Sequence, residues 1–161
     1  MQISEPVTML TDYALAAASC FFSLSIFRNL NVKNRVTGLL WSLGFMAAGA
    51  GAFIGGTYHG FALEIEPQQL RWLWNITVFS LGAAGGFIIS AIHTAVVRRV
   101  NAKWLVAGAL LTGCGYLVQL TGFRSHLPFN HNDIYHVIQI AALYLLFMGA
   151  RSLQDRSYSP R

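Results

Sequence analysis

VTGLLWSLGFMAAGAGAFIGGTY spans residues 36–58 and contains no charged side chain. As a helix it would extend about 35 Å at 1.5 Å per residue, which is enough to cross the ~30 Å hydrocarbon core of a bilayer. Its many glycines and alanines make room for neighbours, since small residues let transmembrane helices approach closely. The stretch therefore predicts a transmembrane helix that packs within a bundle.

Four further stretches of the chain have the same apolar character. The five predicted spans cover residues 7–27, 36–58, 73–97, 104–123 and 132–150. Of the 161 residues only 11% are charged and 55% are hydrophobic, whereas soluble domains carry roughly 25% charged residues. Because the connections are short, no separate soluble domain is expected. We predict an all-α integral membrane protein in which residues 1–161 form one transmembrane helical domain.

The distribution of basic residues predicts the orientation in the membrane. Lysines and arginines concentrate in the first and third loops and in the C-terminal tail, whereas the other two loops carry only Arg71 and Arg124. Short loops rich in these residues stay cytoplasmic, so we expect an outer N-terminus and a cytoplasmic C-terminus. The net charge of +5 is then a topology signal, and no nucleic-acid partner is expected.

Tryptophans and glycines predict how the helices sit in the membrane and against each other. Tryptophan prefers the membrane interface, and four tryptophans lie near predicted span ends: Trp41, Trp72, Trp74 and Trp104. Two pairs of glycines four residues apart match the small-xxx-small pattern of close helix contacts: Gly51 with Gly55, and Gly82 with Gly86. We expect the tryptophans to form an aromatic belt and the glycines to lie at helix contacts.

The predicted topology gathers most ionisable side chains at the outer ends of the spans. Four of the five histidines and five of the six carboxylates fall on this side. Ionisable groups at this depth are costly unless they face the bundle interior or a wet cavity. We therefore expect Asp12 and His136 to point inward and to have partners.

Two interpretations of this polar cluster are open. His59 and His136 come from different helices at similar depth and, with His131, could hold zinc, which takes three protein ligands and a water when it is catalytic. Such a metal would turn its bound water into a nucleophile. Alternatively the cluster is a hydrogen-bonded polar core, in which Asn132 and Asp133 only cap the fifth helix.

The beginning of the chain resembles a known superfamily. ISEPVTMLTD at residues 3–12 is similar to the first-helix motif of the CREST membrane hydrolases, which include the alkaline ceramidases and the progestin and adipoQ receptors. The polar positions of that motif are Glu5, Thr8, Thr11 and Asp12 in this chain.

Two later stretches carry the resemblance further. GTYH at residues 56–59 looks like the end of an early helix that bears a zinc-binding histidine, and NDIYH at 132–136 looks like a His-x-x-x-His motif with Asn132 at its first position. These stretches are also similar to small uncharacterised bacterial membrane proteins. That similarity implies a location in a bacterial inner membrane.

The resemblance implies a metal-dependent membrane hydrolase that acts on a lipid amide or ester. The candidate residues of this hydrolase hypothesis fall into three groups: Glu5, Asp12 and Asp133 for catalysis; Thr8, Thr11, Tyr58, Asn132 and Gln139 for the polar lining; and His59, His131 and His136 for zinc. The alternative is a non-enzymatic accessory or assembly subunit of a membrane complex, such as one that carries haem or pigment. The expected partners are the lipid bilayer and either a lipid substrate or other membrane subunits.

Overall fold

A computed structural model of the chain describes residues 3–30, 35–97, 103–122 and 129–155. These residues form five helices: α1 Pro6–Arg28, α2 Arg35–Phe61, α3 Pro67–Val97, α4 Lys103–Thr121 and α5 His131–Asp155. Each is long and apolar enough to cross a membrane, which confirms the predicted all-helical architecture. Several basic residues behind the predicted orientation lie outside the described residues: Lys33, Arg98, Arg99, Arg124, Arg156 and Arg161.

The helix ends follow from local sequence. Pro6 and Pro67 begin α1 and α3, because proline lacks an N–H that the first turn would leave unpaired anyway. Helix α3 therefore starts at Pro67, six residues before the span predicted to begin at residue 73. Hydropathy did not include residues 67–72 in the span because they are polar, although they are helical. Gly122 follows α4 with a φ of 61°, the left-handed conformation in which glycine commonly ends a helix.

The five helices follow one another around an arc. Helix α1 packs against α2 on one side and α5 on the other; α2 also packs against α3, and α5 against α4. The order around the arc is therefore α3–α2–α1–α5–α4. Between α3 and α4, within the described residues, there is no comparable packing, so the arc is open on that side.

Glycines set the close helix contacts. A Cβ added at Gly56 would lie 2.9 Å from Cβ of Asp12, and one added at Gly51 would lie 3.1 Å from Leu81. The predicted contact at Gly51 is thus present, between α2 and α3. At Gly82 and Gly86 an added Cβ would meet nothing within 4 Å in the described part of the chain. Among the described residues the predicted packing at that second pair is therefore wrong, because this face of α3 points away from the other helices.

A dry apolar core fills the half of the bundle where α2 begins and α5 ends. Phe22 of α1 stacks on Phe147 of α5 at 4.8 Å between ring centroids and meets Phe45 of α2 edge-on at 5.7 Å. Trp41 stacks on Phe45 and is only 1% exposed. The aromatic-belt prediction is therefore wrong for Trp41, because it lies on the face of α2 that points into the bundle. This core holds the helices together at one end, and the buried ionisable residues Asp12, Asp133 and His136 lie at the other.

Candidate functional site

A cavity of about 450 Å³ lies at the end of the bundle opposite the aromatic core. All five helices contribute to its wall, at the beginning of α1, α3 and α5 and at the end of α2 and α4. We call it the polar cavity; its polar and aromatic lining comprises Asp12, His59, Trp74, Thr77, Tyr116, Gln119, His131, Asn132, Tyr135 and His136. Its volume falls within the ~300–1,000 Å³ that is usual for small-molecule sites.

Asp12 and His136 form a buried pair in the cavity wall. Nε2 of His136 lies 3.1 Å from Oδ1 of Asp12, and Nδ1 of the same ring lies 3.1 Å from the Thr11 hydroxyl. Asp12 is 4% exposed and His136 is 8% exposed. At this distance the nitrogen and the oxygen form one hydrogen bond, whichever of the two atoms carries the proton. The sequence prediction that both residues point inward and have partners agrees with these contacts.

The second oxygen of the Asp12 carboxyl is the exception in this network. Oδ2 is buried and makes no hydrogen bond to any described residue. It lies 3.7 Å from the place a Cβ would occupy at Gly55, another residue of the cavity wall. Leaving a buried acceptor unpaired costs about 1–3 kcal/mol. Asp12 therefore holds a buried, unpaired hydrogen-bond acceptor at the wall of the polar cavity.

The start of α5 is fixed by reciprocal capping. The Asn130 side-chain oxygen accepts from the backbone N–H groups of Asn132 at 2.8 Å and Asp133 at 3.1 Å, and Oδ2 of Asp133 accepts from the N–H of Asn130 at 2.8 Å. This is the capping-box arrangement. The other Asp133 oxygen accepts from the Thr8 hydroxyl at 2.8 Å. Asp133 and Thr8 therefore join α5 to α1 and are not among the described residues that line the cavity.

His59 reaches the cavity from the end of α2 and pairs with a different carboxylate. Its Nδ1 lies 3.1 Å from Oε2 of Glu5, whose side chain is 47% exposed. The neighbouring Tyr58 contacts the indole of Trp74 at 5.4 Å between ring centroids. Glu5 and Tyr58 are thus not among the described residues that line the cavity. Each contacts a residue that does: Glu5 contacts His59, and Tyr58 contacts Trp74.

Amide side chains join α4 to α5 beside the cavity. Gln119 donates to the side-chain oxygen of Asn132 at 2.7 Å, and Gln139 donates to the backbone carbonyl of Thr112 at 3.3 Å. Asn132 lines the cavity, as does the adjacent His131. Gln139 lies about two turns further along α5 than Asn132, and its contact holds α4 and α5 together.

The three histidines expected to hold zinc all line the polar cavity. In the described part of the chain, however, no three His, Cys, Asp or Glu side chains are close enough together to hold a metal ion. Both ring nitrogens of His136 have partners in Thr11 and Asp12. These donors therefore do not form a ligand set in the described structure.

Sequence reasoning did not identify several residues of the cavity wall. Trp74, Thr77, Tyr116, Gln119 and Tyr135 line it, and none of them was a predicted site residue. Gln119 carried a usable signal, because an amide inside an apolar span requires a polar partner. The aromatic residues carried none, since tryptophan and tyrosine near span ends are also typical of the membrane interface.

Comparison with known proteins gives one match. The sequence profile of a single family covers residues 7–101 and 84–155. The chain belongs to DUF6962, a family of unknown function. This confirms the prediction of an uncharacterised family, and the CREST hydrolases are not among the families found for this DUF6962 protein. No curated protein and no solved structure matches it.

Proposed function

We propose that this DUF6962 protein binds an amphiphilic molecule in the polar cavity, with the polar end of that molecule at Asp12. The observation that carries the proposal is the buried Oδ2 of Asp12, which has no described partner and lies in the wall of a ligand-sized cavity. Buried polar groups are nearly always paired, and a ligand in the cavity would supply the missing partner.

The surroundings of the cavity favour an amphiphile over a fully polar ligand. Besides its polar groups, the wall contains the apolar side chains of Leu15, Ala52 and Leu81. Trp74 on α3 and Tyr116 on α4 border it on the side where those two helices are not packed together. A hydrocarbon chain can extend from Asp12 between α3 and α4 toward the lipid, so the bilayer itself is the natural source of the ligand.

We further propose the orientation that the basic residues predict. The N-terminus and the polar cavity then face the outer side of a bacterial inner membrane, and the C-terminus faces the cytoplasm. In this orientation the polar end of a bound lipid lies at the level of the outer head groups, and its apolar part lies among the acyl chains.

Extraction of the purified protein tests the binding proposal. The full chain, purified in a mild detergent, is extracted with organic solvent, and bound amphiphiles are quantified by mass spectrometry. We expect about one molecule per chain and a several-fold loss in Gly55→Val, whose methyl groups would occupy the space beside Oδ2 of Asp12. The matched control is Gly85→Val, where an added Cβ meets nothing within 4 Å in the described chain. Equal lipid content in all three proteins contradicts the proposal.

Hydrolysis of a lipid amide or ester is the second candidate, and the Asp12–His136 pair favours it. The pair holds a proton at the cavity wall, where it could exchange that proton with a water or with a leaving group. Zinc stays a prediction from the sequence, with His59, His131 and His136 as the expected ligands. Elemental analysis of the purified protein tests it: about one zinc per chain supports the metal-dependent hydrolase, and a metal-free protein that binds lipid supports a binding role alone.

A non-enzymatic accessory subunit is the third candidate, and the outer face of α3 favours it. A Cβ added at Gly82, Gly85 or Gly86 would meet nothing within 4 Å among the described residues, and small residues often lie where transmembrane helices meet. Co-purification after cross-linking in the native membrane tests this role. The loss of a cross-linked partner in Gly86→Leu would support it, and a chain that cross-links to nothing would argue against it.

A further inference from the structure

We infer that the polar cavity selects a head group that donates a hydrogen bond and carries no negative charge, and that Asp12 determines this selection. The inference rests on the proposed binding function and specifies its ligand. It follows from the unequal roles of the two Asp12 oxygens and from the absence of cationic side chains in the described wall of the cavity.

The carboxyl group of Asp12 offers the ligand an acceptor. Oδ1 is engaged by His136, which fixes the orientation of the carboxyl group and leaves Oδ2 directed at the space beside Gly55. A hydroxyl or amine would donate a hydrogen bond to this oxygen. An ether or ester oxygen in the same place would put two acceptors against each other, and neither would have a partner.

The charges around the cavity exclude an anionic head group. Among the described residues that line it there is no lysine or arginine, the side chains that normally bind phosphate. Among the described residues, the carboxyl and imidazole side chains around the cavity are those of Asp12 on α1, His59 on α2, His131 and His136 on α5, and Glu5 and Asp133 behind them. Three of these six are carboxyls, so a phosphate would be repelled rather than neutralised.

Asp12→Leu should abolish the preference. Leucine has no acceptor in the place of Oδ2, so the alcohol loses its hydrogen bond and the ether no longer meets an opposing acceptor. A purely structural role of Asp12 would weaken the binding of every probe alike and would keep the difference between the alcohol and the ether.

Four probes with one C16 chain separate these possibilities: 1-hexadecanol, hexadecylamine, methyl hexadecyl ether and hexadecyl phosphate. Binding to the full chain in detergent micelles is measured from the concentration dependence of the thermal unfolding temperature, because a ligand that binds only the folded state stabilises it.

We expect the alcohol or the amine to bind about 5- to 150-fold more tightly than the ether, and the phosphate to bind most weakly. Whether the alcohol or the amine ranks first distinguishes a neutral from a cationic natural head group. In Asp12→Leu the alcohol and the ether should bind about equally well, whereas Gly85→Ala should keep the wild-type order.

The outcomes separate this inference from the proposed function. If the ether or the phosphate binds the wild-type protein as tightly as the alcohol does, selection by Asp12 is wrong while lipid binding stands. If the alcohol keeps its advantage over the ether in Asp12→Leu, Asp12 does not determine the order. If no probe stabilises the wild-type protein, the binding proposal fails and this inference fails with it. Should Asp12→Leu not fold, the wild-type order alone decides.

Discussion

Replacing Asp12 and His136 by leucine, singly and together, measures how far the two residues depend on each other. Oδ1 of Asp12 and Nε2 of His136 lie 3.1 Å apart, and the two side chains are only 5% and 10% exposed. His136→Leu leaves both oxygens of Asp12 buried without a described partner. Asp12→Leu leaves His136 with Thr11 as its remaining partner. The double variant contains neither the unpaired carboxyl of Asp12 nor the unpaired Nε2 of His136.

The magnitudes follow from these contacts. Breaking a buried pair by removing one partner costs about 3–5 kcal/mol, which we expect for His136→Leu. Asp12→Leu leaves one ring nitrogen unpaired and should cost about 1–3 kcal/mol. Replacing both partners by apolar groups of similar shape is often close to neutral. The single changes sum to about 4–8 kcal/mol, so a near-neutral double variant should be more stable than that sum predicts by about the same amount.

Equilibrium unfolding of the full chain in detergent micelles gives the four free energies of this cycle. Ser42→Ala is the control, because Ser42 bonds to Ser23, which lies about 16 Å along α1 from Asp12 at 1.5 Å per residue. The effects of Asp12→Leu and Ser42→Ala should add within ~0.5 kcal/mol. If Asp12→Leu and His136→Leu also add within that margin, the buried pair does not exist as described.

Three further predictions concern the fold. Gly56→Ala should destabilise the protein by about 1–3 kcal/mol, because its Cβ would lie 2.9 Å from Cβ of Asp12, whereas Gly85→Ala meets open space; similar unfolding free energies for the two variants would contradict the described α1–α2 contact. Asn130→Ala should cost about 1 kcal/mol by removing the cap of α5, and Asn130→Ser should restore most of it; an unchanged unfolding free energy would show that the cap contributes little. A reporter fused after Arg161 should be active only in the cytoplasm, and activity on the other side would overturn the predicted orientation.

The fold was largely predictable from the sequence, and the site only in part. Apolar length alone separates a membrane-spanning helix from other elements, which is why hydropathy predicted five helices. The sequence predicted at which end of the bundle the polar cluster lies, because spans that alternate in direction bring the start of α1, the end of α2 and the start of α5 together. The contribution of α3 and α4 was not recognised, since Trp74 and Tyr116 look the same in a sequence whether they face lipid or line a cavity.

The sequence by itself determined the number of helices, their apolar character and the gathering of histidines and carboxylates at one end. Only the tertiary structure decided that α1 lies between α2 and α5, so that His136 pairs with Asp12 while His59 pairs with Glu5. It also decided that Trp41 is buried and that Gly82 is not covered within the described chain. The physical reason is that hydropathy records how much of a helix avoids water, and in a membrane both lipid and neighbouring helices satisfy that requirement. Which side of a helix meets another helix depends on shape and on hydrogen bonds between segments far apart in the chain.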